Sequence, residues 1–145
     1  MAFVDAASTI RILGGVDIGD VVGLIARIVI GGTFLVAGFA KLRMGPAWPR
    51  QAAGMGVSRP VALPVPWVEL GIGAAAIIGL ASPWPAIAAA VMLVVFTVLI
   101  VKRLSEGVRP PCACFGARVD QPLGAGHVVR NAVLLIVAVV AAVLG

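Results

Sequence analysis

The sequence predicts an all-α integral membrane protein, a four-transmembrane-helix bundle, and two observations carry that fold class. The first is composition. Of 145 residues, 61% are hydrophobic and 12% charged, and the mean hydropathy is +1.14. Soluble domains carry about 25% charged and about 45–50% apolar residues. A soluble fold of this chain would lack the polar surface to cover itself, so lipid must do the covering. The second observation is pattern: four apolar segments, each close to the roughly 17–25 residues that cross a bilayer core as a helix.

Taken in order, the spans are "VVGLIARIVIGGTFLVAGFAKL" (21–42), "VALPVPWVELGIGAAAIIGLA" (61–81), "WPAIAAAVMLVVFTVLIV" (84–101) and "HVVRNAVLLIVAVVAAVLG" (127–145). Residues 1–20 are mixed in character and read as an interfacial lead-in to a single membrane domain over 21–145. They lack a basic start followed by a clean apolar core, so the first span is expected to do the targeting. "SPWP" at 82–85 is a tight hairpin, whereas the stretches 43–60 and 102–126 are longer loops rich in Pro, Gly and Arg. In a four-helix arrangement these two loops share one side.

Lys41, Arg43, Arg50, Arg59, Lys102, Arg103, Arg109 and Arg118 cluster on that side, eight of the eleven basic residues. The positive-inside bias alone would place them in the cytoplasm. Apolar spans punctuate the net charge of +5, which therefore forms no long patch for nucleic acid. Trp48, Trp67 and Trp84 stand near predicted helix ends, where interfacial anchors belong.

Charged and amide side chains within spans are costly and mark candidate sites. Glu69 opens the second helix and Arg130 the fourth, on the same side, so the two are placed to pair and offset each other's desolvation. His127, Arg130 and Asn131 fall at i, i+3 and i+4 on one helix face. Arg27 lies inside the first span. Arg27 and Arg130 are also long enough to snorkel to headgroups, and His127 suits an interfacial position as well as a chemical one. The glycines at 31, 32, 38, 71, 73 and 79 read as close-packing positions.

Both cysteines, Cys112 and Cys114, sit in "RPPCACFGAR" (109–118). Three jobs suit them. One is thiol–disulfide exchange: a Cys-x-Cys pair can approach disulfide separation but closes a small, strained and readily reduced ring. Arg109 and Arg118 would lower the thiolate pKa, and Gly116 lets the chain turn away. Soft-metal capture is another, with His127 as a third ligand, although a stable zinc site wants four. The last is simple packing by two small residues.

The order of features resembles the MauE branch of the DoxX-like membrane proteins, named for methylamine utilisation. Arg27, the "GGTFLVAGFAKL" ending that contains Lys41, Pro66 with Glu69, the "CACFG" element from Cys112 through Phe115 to Gly116, and Arg130 with Asn131 carry the likeness. It implies a multi-pass protein of a bacterial-type cytoplasmic (inner) membrane, with catalytic Cys112 and Cys114. Glu69, His127, Arg130, Asn131, Arg27, Lys41, Phe115 and Gly116 would support them. It also implies disulfide exchange with a separate thioredoxin-like protein during maturation of exported redox enzymes, which calls for an extracytoplasmic thiol site. No metal or other cofactor is expected. A membrane quinone is a chemically suitable final carrier, but no quinone site can be read from these residues. A non-enzymatic membrane scaffold subunit and a transporter of soft metal or small solute are the alternatives. The sequence does not determine the oligomeric state.

Overall fold

A computed structural model describes residues 15–108 and 124–145. Its elements, in chain order, are α1 (Ile18–Met44), α2 (Ala47–Gly54), α3 (Arg59–Ala62), α4 (Val65–Ile78), α5 (Trp84–Ser105) and α6 (Ala125–Leu144). Four spans are long and apolar enough to cross a membrane: α1, α3 with α4 (Arg59–Ile78), α5 and α6. Most of the predicted lead-in lies outside the described residues, and its last residues already belong to α1.

Small residues fill the interior. Ala26, Ala76, Ala86, Ala89, Ala138 and Ala141 are buried around Ile30, Phe34 and Leu93. The large side chains point outward instead: Val36, Ile78, Ile136 and Val143 are all more than 60% exposed. A soluble protein would hide these groups, but in lipid there is no gain from hiding them. Helices there associate through close backbone approach and van der Waals packing.

α1 packs most extensively against α4 and next against α6, which in turn packs on α5. Glycines set the α1–α4 distance. A Cβ on Gly31 would lie 2.7 Å from the carbonyl oxygen of Gly73, and one on Gly38 would lie 2.7 Å from that of Pro66. Gly32 and Gly71 face open space, so they are not the packing positions the sequence suggested. The bundle alternates in direction. The end of α1, α2, α3, the start of α4, the end of α5 and the start of α6 therefore share one end, the polar end. At the other end, Gly23 of α1 abuts the backbone of Leu144.

Several boundaries differ from the sequence reading. The 43–60 loop is mostly helical, holding α2 and the start of α3. The second span is broken at Leu63 and Pro64, because prolines 64 and 66 lack the N–H groups a continuous helix needs there. It also stops at Ile78 rather than 81: Gly79 adopts φ 75°, and the Leu80 N–H closes back on the Ala75 carbonyl at 3.0 Å. That is a left-handed helix stop, which glycine adopts without steric cost. Finally, α5 continues to Ser105 and α6 begins at Ala125, shortening the 102–126 loop from both sides.

Candidate functional site

The same faces that press α1 on α4 carry the most polar feature of the interior. Phe34, Ala37, Gly38 and Lys41 form the buried stripe near the end of α1, and Pro66, Glu69, Gly73 and Ala76 form that of α4. With the helices drawn together by glycine, Lys41 Nζ donates to both Glu69 oxygens, at 2.7 and 2.9 Å. Both residues are 1% exposed. The expected Glu69–Arg130 pair is therefore replaced by Glu69–Lys41. Lys41 lies one helix face away across a glycine contact, whereas α4 touches α1 far more closely than the other helices.

Aromatic rings close around the ammonium. The Trp48 ring of α2 lies 5.1 Å from Lys41 Nζ and the Phe96 ring of α5 lies 5.6 Å from it. Both fall within the range at which a ring quadrupole attracts a cation, and more strongly where water is excluded. Trp48 is thus no interfacial anchor. It is 8% exposed, and its indole Nε1–H donates to the Ala62 carbonyl at 2.8 Å, tying α2 to α3. Trp67 and Trp84, 65% and 68% exposed, do stand outward as anchors should.

Next to Phe96, Thr97 extends the polar region towards α6. Its hydroxyl donates to the Leu93 carbonyl at 2.6 Å and accepts from Asn131 Nδ2 at 3.2 Å. Asn131 is fully buried, and its Oδ1 receives no hydrogen bond from the described residues. His127 and Arg130, half-buried on the same face of α6, complete this end. His127 acts locally, since its Nδ1 accepts the Gly124 N–H at 3.3 Å and so caps the start of α6.

Arg27 does not belong to this group. It lies 14 residues before Lys41 on the same helix, roughly 21 Å away at 1.5 Å per residue. Rather than snorkelling to headgroups, its Nε donates to the Ala76 carbonyl at 3.0 Å and its Nη2 to that of Ile77 at 3.3 Å. A cation there satisfies the last carbonyls of α4 and complements the helix dipole.

Cys112, Cys114, Phe115 and Gly116 lie outside the described residues, as do Arg109 and Arg118. The described residues next to them in the chain, Val108 after α5 and Gly124 before α6, stand at the polar end. Sequence reasoning missed Phe96 and Thr97 altogether, and it gave Trp48 a different place. An aromatic or hydroxyl side chain in an apolar helix gives no signal until its neighbours are known.

A family model described as methylamine utilisation protein MauE matches residues 19–144. The chain belongs to the MauE family. No curated protein and no solved structure matches it. The MauE match spans all four membrane helices and every polar contact described above.

Proposed function

We propose that this MauE-family protein exchanges disulfides with a separate thioredoxin-like protein at a bacterial-type inner membrane, using Cys112 and Cys114, in support of exported redox enzymes. One observation carries the reading. The only two cysteines of the chain stand one residue apart in the sequence between α5 and α6, and the end of the bundle where those two helices break off buries a Lys–Glu pair at considerable desolvation cost.

In the oxidising direction, a partner thiolate attacks one sulfur of the Cys112–Cys114 disulfide and forms a mixed disulfide, releasing the other cysteine as a thiolate. A second partner thiolate then displaces the remaining cysteine. The partner leaves with a disulfide, and two electrons remain on the Cys112–Cys114 dithiol. Run in reverse, the same steps reduce the partner. Strain in the small ring favours the oxidising direction. The Lys41–Glu69 pair fixes α1 on α4 at this end, while Asn131 ties α6 to α5 and His127 caps the start of α6, the helix that follows the cysteines in the chain.

Alkylation trapping in cells tests the proposal. Cys112→Ser and Cys114→Ser are each expected to shift the redox state of the thioredoxin-like partner, and one of them should accumulate a mixed disulfide. If both variants leave the partner's redox state untouched while the protein still assembles, the exchange reading fails and the scaffold reading replaces it.

A further inference from the structure

Residues 21–68 contain five basic side chains and no acidic one. Two of the five are matched inside the bundle, Lys41 by Glu69 and Arg27 by the carbonyls of Ala76 and Ile77. Arg43, Arg50 and Arg59 are exposed and take part in none of the ion pairs among the described residues. Arg50 only turns its Nε back to the Pro46 carbonyl at 3.3 Å, and it shares a cleft of about 390 Å³ with Arg59. The Arg43 guanidinium rests over the Phe39 ring at 6.0 Å. The stretch from the end of α1 to α3 thus presents three positive charges outward at the polar end.

Arg43 also closes one end of a groove of about 920 Å³ on the outer face of α1, walled by Leu35, Val36, Phe39, Met44 and Leu70 and otherwise apolar. From Leu35 to Arg43 the groove runs eight residues, roughly 12 Å along the helix. One leaflet of hydrocarbon is half of a core about 30 Å thick. The groove therefore matches one leaflet in depth, with its single charge at the headgroup level.

We propose that this groove binds an anionic phospholipid, one acyl chain lying along α1 from Leu35 to Met44 and the phosphate held by Arg43. Val36 and Phe39, 62% and 59% exposed, face hydrocarbon, where a free anion cannot follow. An extended peptide there would leave backbone groups unsatisfied in lipid. A phospholipid meets both demands, apolar along the wall and anionic at the rim. Arg50 and Arg59 strengthen the positive field around the headgroup without touching the acyl chain.

Native mass spectrometry of the full-length protein in detergent, supplied with phosphatidylglycerol or phosphatidylcholine, tests this. The wild type is expected to retain phosphatidylglycerol at least about fivefold better, the factor one basic residue near a membrane surface contributes. Arg43→Gln should lower that preference about fivefold, leaving only what Arg50 and Arg59 add through the field. Val36→Trp, which fills the groove from an exposed position, should lower retention of both lipids. Equal retention of the two lipids by the wild type overturns the proposal, as does an unchanged preference in Arg43→Gln. Displacement of phosphatidylglycerol by excess inorganic phosphate would point to an anion site without an acyl groove, and a dimer formed in place of bound lipid would assign the face to a second copy. Either result also overturns it. Should Arg43→Gln fail to fold, the wild-type lipid comparison and Val36→Trp still decide.

Discussion

Lys41 and Glu69 offset each other's charge inside the bundle. Removing one partner strands a buried charge, which costs about 3–5 kcal/mol, whereas replacing both with apolar side chains of similar volume is often neutral or stabilising. Lys41→Met and Glu69→Gln are therefore each expected to lower thermal stability in detergent sharply, and Lys41→Met with Glu69→Leu to recover most of the loss. If the pair only holds the fold, the double variant should also recover disulfide exchange. The proposed function predicts that it stays impaired, and trapping of the mixed disulfide distinguishes the two. The need for a partner was legible in the sequence, because a glutamate side chain is too short to reach headgroups from within a span. Its identity was not. Choosing Lys41 over Arg130 depends on which faces of α1, α4 and α6 meet, and spacing along one helix cannot supply that.

The α1–α4 contact makes that choice, and glycine makes the contact. A Cβ at Gly38 would meet Pro66 O at 2.7 Å and Glu69 Cβ at 3.2 Å, whereas one at Gly32 meets nothing within 4 Å. The same substitution should act in opposite directions at the two sites. Gly38→Ala is expected to cost about 1–3 kcal/mol by overpacking. Gly32→Ala should gain about 0.4–1 kcal/mol by restricting the unfolded chain. Thermal unfolding followed by circular dichroism checks both, and destabilisation of equal size at each would show that the close approach at Gly38 is not what matters. From the sequence, these glycines look alike. Only the rotation of α1 against α4 separates those at the contact from those facing lipid. The break at Pro64 was equally open to reading from proline chemistry, yet apolar continuity across 61–81 masks it.

For the molecule as a whole, the orientation of the polar end is the consequential property. Eight of eleven basic residues fall on that side by sequence, which favours the cytoplasm. Lys41, however, is buried in an ion pair rather than displayed in a loop. Disulfide exchange with exported proteins requires the opposite face. On that reading, a membrane-impermeant maleimide applied to intact, reduced cells is expected to label Cys112 and Cys114. Labelling that appears only after lysis would sink the exported-partner form of the proposal.

Composition and the spacing of apolar runs were enough to establish four membrane helices and a shared end for the two longer connections. Those features follow from hydrocarbon thickness and from the need of every backbone group in lipid for an internal partner. Lys41 facing Glu69, Trp48 folded inward over the ammonium, Arg27 capping α4 and Arg43 left at the mouth of an apolar groove came only with the packed bundle. Each depends on helix rotation and on interaxial distance, and those are fixed where small residues from different parts of the chain meet.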